Sequence, residues 1–235
     1  MSVVKGVQPP QFRLELDMTA PVFAWMRRNG LNVKREFSLP WGICDLVGVS
    51  FNERRVGIRI AHGQFHAIAT PQRISLLHQI PDEKTRRSIT IKDLYSRFDG
   101  LFSTDTLERE LDHLIRGKFI RSLRSGRFQS KNGWAPLHKR IVAVELKLNR
   151  IQEAFEQACC NRAFASESYV ALPSRTARCL MRTSRSAFFR KNRIGILAVG
   201  ARSCFQVLPS SCTQQDPLLQ AHCVERFWRA RDNCS

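Results

Sequence analysis

The chain has no apolar run approaching the ~18 residues that a membrane-spanning helix needs, and its opening, MSVVKGVQPPQF, lacks the apolar region of a secretory signal. A location in the cytoplasm, away from any membrane, is the expectation. No CxxC occurs among the eight cysteines, and Cys159 and Cys160 are adjacent on an expected helix. A disulfide framework is therefore not expected. The last four cysteines, at 204, 212, 223 and 234, also lack the spacing of a zinc site even with His222 nearby. No internal repeat is evident. Most telling is the scarcity of acid: 20 Asp and Glu stand against 38 Lys and Arg, a net charge of +18 over 235 residues. A field of that sign and size favours a polyanionic partner, nucleic acid before acidic membrane.

Hydrophobic content of 43% is that of a folded protein with one sizeable core and room for a second, smaller unit. MTAPVFAWMRRNG reads as a helix, with Thr19 as cap, Pro21 in the first turn and Gly30 as stop. NVKREFSL alternates as a half-buried strand, PWG turns the chain, and ICDLVGVSF is a second strand. Between 70 and 140 the pattern changes to three helical stretches, TPQRISLLHQI, TIKDLYSRF and STDTLERELDHLIRGKFI. Leu107, Leu111, Leu114 and Ile115 form an apolar stripe on the third. KFIRSL then begins a strand, and RSGRFQSKNGW returns it as a hairpin through Phe128 and Trp134. Three helices followed by a basic hairpin resemble a winged helix, a relative of the helix-turn-helix.

After residue 140 the first pattern resumes. The strand IVAVELK is followed by a helix, NRIQEAFEQACCNRAFA, and a strand, SYVALP. A long basic stretch, SRTARCLMRTSRSAFFRKN, reads as one helix before the strands IGILAVG and CFQVLP. The expected organisation is a core built from 1–69 and 141–208, an inserted domain over 70–140, and a tail over 209–235 with no fold signal.

One feature of the core is costly on its face. Glu145 and Lys147 close an apolar strand and, two residues apart, share a side of it; charge at such a place is expensive unless paired or useful. Asp45 lies on the preceding strand of the core, with 99 residues between it and Glu145. The order helix, strand, strand, strand, helix, strand, with an acid on the second strand and acid-x-Lys on the third, resembles the PD-(D/E)xK nuclease superfamily. Asp45 in WGICDLVGV matches the first acid, and Glu145 with Lys147 in VAVELKLN match the E-x-K pair. Gln157 in EAFEQA resembles the polar residue of the following helix. The 99-residue gap replaces the short hairpin usual in that family, and the insertion accounts for most of it.

The resemblance implies an α/β fold with a restriction-endonuclease-like mixed sheet flanked by helices. The implied activity is metal-dependent endonuclease cleavage of double-stranded DNA. Asp45 and Glu145 would hold Mg²⁺ (Mn²⁺ substituting), with Lys147 and Gln157 completing the catalytic set. Hard oxygen ligands suit Mg²⁺, which acidifies water and neutralises charge on phosphate. A homodimer is implied for cutting both strands. Alternatives are a non-catalytic DNA-binding regulator with an inactive core, or a nuclease acting on RNA or branched DNA. A third carboxylate could come from Glu36, or from Asp17 or Glu15, although each also reads as an ordinary surface acid. His62 and His66 read as loop residues rather than a metal pair.

Two basic zones complete the reading. Eight Lys or Arg and no acid lie between Asp112 and Glu145, among them Arg124, Arg127 and Lys131 of the hairpin. Arg175, Arg178, Arg182 and Arg185 recur at helical spacing, in a stretch without acid from 168 to 215. Both zones are expected to contact phosphates.

Overall fold

The computed structural model describes residues 12–68, 70–124, 126–131, 136–212 and 214–228. A 3-10 turn, Glu15–Met18, leads into α1 (Thr19–Arg28), β1 (Asn32–Leu39), β2 (Gly42–Phe51) and α2 (Glu53–Ala61). There follow α3 (Pro71–Gln79), β3 (Ile89–Thr90), α4 (Ile91–Arg97), α5 (Thr104–Arg116), β4 (Ile120–Leu123) and β5 (Arg127–Ser130). Next come β6 (His138–Leu146), α6 (Ile151–Asn161), β7 (Glu167–Pro173), α7 (Ser174–Met181) and α8 (Ser186–Lys191). The remaining elements are β8 (Gly195–Val199), β9 (Cys204–Leu208) and α9 (Pro217–Trp228). Contacts divide the chain into two compact units, Met1–Ser50 with Arg140–Gln215 and Phe51–Lys139 with Asp216–Ser235.

The first unit is α/β. Its six-stranded mixed sheet has the order β1-β2-β6-β7-β8-β9. β1 and β2 are antiparallel, β6, β7 and β8 run parallel, and β9 returns antiparallel to β8. Parallel strands covered on both faces are apolar throughout rather than alternating, which is why IVAV, YVAL and ILAV contain no polar residue. The period of two nevertheless sorts them. Val142, Val144, Leu146, Tyr169, Ala171, Leu197 and Val199 cluster with Met18, Val22 and Met26 of the α1 side. Val170, Leu172, Ile196 and Ala198 cluster with Ala154 and Ala158 of α6 and with Ala177, Leu180 and Phe189. Glu145 pairs in register with Val170, so it emerges on the α6 face. Gly48 in β2 lets α1 approach closely, since a Cβ there would stand 2.8 Å from Met26 Cε.

The ends of α1 differ in detail from expectation. Met18, closing the 3-10 turn, takes the cap position in place of Thr19, because the chain is already helical when it arrives. Gly30 does end the helix, at φ 74°, a backbone that favours glycine. The larger correction concerns 174–191, expected as one helix. It is two, with Arg182 closing α7 and Arg185 preceding α8.

In the second unit the three expected helices form as α3, α4 and α5, each with a side-chain cap at its start: Thr70, Thr90 and Ser103. β3 adds a short antiparallel partner to the hairpin, giving the order β3-β5-β4. Ile74, Leu77, Leu94, Leu107, Leu111, Leu114, Phe119 and Phe128 form its core. Trp134, the expected far end of the hairpin, lies outside the described residues. The unit is larger than 70–140. It begins at Phe51 with α2, and α9 of the tail joins it. A buried ion pair explains the recruitment. Arg59 of α2 donates to both carboxylate oxygens of Glu225 on α9, and Glu225 also accepts from the Ile68 N–H at 2.7 Å. The Arg59 guanidinium lies over the Phe119 and Trp228 rings, 5.1 and 4.5 Å from their centroids. No helix among the described residues is long and apolar enough to cross a membrane.

Candidate functional site

The sheet places β2 beside β6, and this adjacency closes the 99-residue gap between the two acids. Asp45 Oδ2 accepts a hydrogen bond from the Leu146 N–H at 2.7 Å. Glu145 is 2% exposed and its Oε1 accepts from Asn161 Nδ2 at 2.6 Å. Burial first, and then the neighbouring Asp45, push Glu145 up to about 7; Asn161, Cys44 and Lys147 oppose the shift. Asp45 is likewise raised by burial, against the Leu146 N–H and the Lys147 charge. Burial and proximity thus displace the two neighbouring acids together toward the neutral form.

Lys147 completes the group. Its ammonium lies 3.4 Å from Glu15 and 3.4 Å from Glu153. Burial works against its charge, but Glu15, Asp45 and Glu153 outweigh that and raise its pKa. Lys147 is therefore firmly charged inside an acidic setting. Of the candidate third acids, Glu15 is the one that reaches the lysine. Asp17 turns to the Arg13 and Leu14 N–H groups, and Glu36 is exposed on β1 with φ 48°.

A cavity of about 190 Å³ opens beside Glu145, bounded by Trp41 and Ile43 on one side and Gln157 and Asn161 on the other. Gln157 Oε1 is buried with no hydrogen-bond partner among the described residues, which leaves an acceptor available at this cavity. Gln157 and Asn161 sit four apart on α6 and so share a helical face. That spacing was a signal for Asn161, which sequence reasoning passed over. Glu153 and Cys44 were also missed. Cys44 is buried, and burial with the charges of Glu145 and Asp45 drives its thiol pKa well up.

A cation would meet an all-oxygen donor set. Among the described residues no group of three or more His, Cys, Asp and Glu is placed to hold a metal. Mg²⁺ commonly binds through only one or two carboxylates and keeps its remaining positions for water and phosphate, and Asp45 with Glu145 is a donor pair of that kind. His62 ends α2, and the His66 carbonyl accepts from Arg59 Nη2 at 2.7 Å, so both serve the second unit's architecture.

The basic candidates are exposed, apart from half-buried Lys131. Arg124 occupies the β4–β5 turn and Arg127 starts β5, 3.3 Å from Ser88 Oγ. The α7–α8 break divides the four arginines expected on one face: Arg175 and Arg178 lie on α7, Arg182 and Arg185 at the bend.

No family model and no curated protein matches this chain. A solved structure, the SPO1766 protein of unknown function from Silicibacter pomeroyi, is similar at 10% identity and a TM-score of 0.44. The alignment covers 97% of this chain and 90% of that one.

Proposed function

We propose that the chain is a Mg²⁺-dependent DNA endonuclease of the PD-(D/E)xK type. The observation that carries this is the convergence of Asp45, Glu145 and Lys147, brought from two strands far apart in sequence into one buried group. The order α1, β1, β2, β6, α6, β7, with β6 between β2 and β7, supports the same reading. So does the position of Gln157, whose orphaned acceptor faces the Glu145 cavity. We read α3, α4, α5 and the β3-β5-β4 sheet as a winged helix that grips duplex DNA, with Arg124 and Arg127 on its exposed hairpin.

Each residue has a defined task. Asp45 and Glu145 would hold the cation, whose positive charge beside them would favour the ionised form of both. The bound cation would supply acidified water and charge neutralisation at the phosphate. Asn161 fixes the orientation of the Glu145 carboxylate, and the Leu146 N–H fixes that of Asp45. Lys147, anchored by Glu15 and Glu153, presents charge where negative charge develops on phosphorus. Gln157 can accept a hydrogen bond from water or substrate in the cavity.

The test is incubation with supercoiled, linear, single-stranded and branched DNA, with and without Mg²⁺ or Mn²⁺. Cleavage is expected with either ion and should fall by about a hundredfold or more in Asp45→Asn, Glu145→Gln and Lys147→Ala. Affinity for DNA in Ca²⁺ should change little, because phosphate contacts elsewhere supply it. Calorimetric titration with Mn²⁺ should lose its heat in Asp45→Asn. Wild-type cutting rates in Glu145→Gln would overturn the assignment.

A further inference from the structure

A second groove, of about 420 Å³, lies between α6 and α8 and is lined by Ile151, Gln152, Phe155, Arg185, Phe188 and Phe189. Its volume falls within the roughly 300–1,000 Å³ of ligand sites. One wall is fixed, since the Phe155 and Phe189 rings meet edge to face at 5.0 Å and 65°, and Phe189 is 3% exposed. Phe188, also on the lining, is 63% exposed, and Arg185 is exposed as well. A lone exposed aromatic is unremarkable on a protein surface; one that lines the same groove as an aromatic pair, with an arginine also on the lining, has the parts of a stacking site.

Charge restricts the occupant. The α8 side of the groove is basic, with Arg185 before the helix and Arg190 and Lys191 in its last turn, whereas α6 carries Glu153 and Glu156, the latter accepting from Gln152 Nε2 at 2.8 Å; a negative group would therefore be held at the Arg185 rim. An occupant must combine a flat apolar face with negative charge. A nucleotide does so, but in a duplex its base faces are already stacked on their neighbours. Only an unpaired nucleotide offers both the base face and the phosphate together.

We propose that this groove receives an unpaired nucleotide of the DNA substrate, its base stacked on Phe188 and its phosphate held by Arg185. The site rests on the nuclease reading for the class of its ligand, and it narrows that reading to duplex DNA carrying an unpaired strand, such as a fork or a flap. Its position fits. Groove and site share α6, with Gln152 on the groove lining and Glu153, the next residue, 3.4 Å from the Lys147 ammonium.

The experiment compares a forked duplex with a blunt duplex of equal paired length, in Ca²⁺, with 2-aminopurine placed in the unpaired arm. Wild type should bind the fork more tightly and quench the probe. Phe188→Ala should lower fork affinity about tenfold, the loss of one stacked base, leave the blunt duplex unchanged and abolish the quenching. Phe188→Trp should retain all three properties. Unchanged fork affinity in Phe188→Ala, the result expected if the groove takes an apolar peptide instead, would overturn the proposal. Equal weakening on fork and blunt DNA would also overturn it. Failure of wild type to bind any DNA would sink the nuclease reading and the subsite together. Fork binding that depends on Phe188, without Mg²⁺-dependent cutting, would uphold the subsite and refute catalysis alone.

Discussion

Glu145 has a pKa of about 7 in the folded chain against an ordinary 4.5, so folding takes up a proton at this group. The resulting stability is fully present below about pH 4.5 and is lost as pH rises through about 7. By linkage the difference is on the order of 3 kcal/mol, and the upward shift of Asp45 acts in the same direction. Glu145→Gln, which keeps an acceptor for Asn161, should therefore raise the melting temperature at pH 8 while abolishing cleavage. It should also flatten the pH dependence of stability between pH 5 and 8. Mg²⁺ should stabilise wild type at pH 8 and leave Glu145→Gln unaffected. A thermal melt in which the variant is less stable at pH 8 would show that the carboxylate is not held under strain. At this scale the sequence was informative where charge broke an apolar strand, at Glu145 and Lys147. It was silent on Glu153, left Asn161 unread despite its spacing from Gln157, and gave Glu15 only as one of three candidate acids, because their roles depend on contacts that only the assembled sheet creates.

Among the elements, strands were the most legible, because burial on both faces leaves uninterrupted β-branched runs and a single charged residue stands out against them. The helices α3, α4 and α5 declared themselves through caps and stripe. The stretch 174–191 misled, since nothing in it is proline or glycine. Its break comes instead from side chains that compete for helical carbonyls: Thr183 Oγ1 donates to Leu180 O at 2.8 Å, and Ser186 Oγ to Thr183 O at 2.9 Å. The basic residues thus act as separate sets. Replacing Arg124, Arg127 and Lys131 by alanine should lower the slope of log K against log salt on duplex DNA by up to about 2.7, at 0.9 per phosphate contact. Arg182→Ala with Arg185→Ala should instead reduce cleavage more than duplex affinity, since about 1 Å of misplacement costs on the order of a hundredfold in rate. Filter binding across salt, alongside cleavage rates for the same variants, separates the two; equal effects on both would deny them distinct roles.

At the level of the molecule, the insertion was legible as an interruption of the core pattern, but its extent was not. α2 carries Gly57 and a cluster of arginines, and the tail carried no fold signal. They belong together because Arg59 and Glu225 neutralise each other in the interior, each side chain 2% exposed. Such a pair is weak evidence of net stability, yet removing one partner leaves a buried unpaired charge and costs about 3–5 kcal/mol. Glu225→Ala should accordingly destabilise the second unit by that amount. Amide exchange should accelerate in α3 and α5 while β7 and β8 keep their protection; unchanged exchange in α3 and α5 would contradict the role given to the pair.

The entry and exit of the second unit are tied by the Asn52 N–H donating to Leu137 O at 2.7 Å, next to strands that are themselves neighbours. This bears on how the chain reaches its native state. Closing 99 residues as a flexible loop costs roughly 3 kcal/mol more conformational entropy than closing a tight hairpin, and a long-range strand pairing of this kind forms slowly. Folding of residues 51–139 shortens that loop to a few residues and removes the penalty. Asp45 and Glu145 are therefore expected to meet late, after the segment between them has ordered, so that the carboxylate pair exists only once the fold is complete.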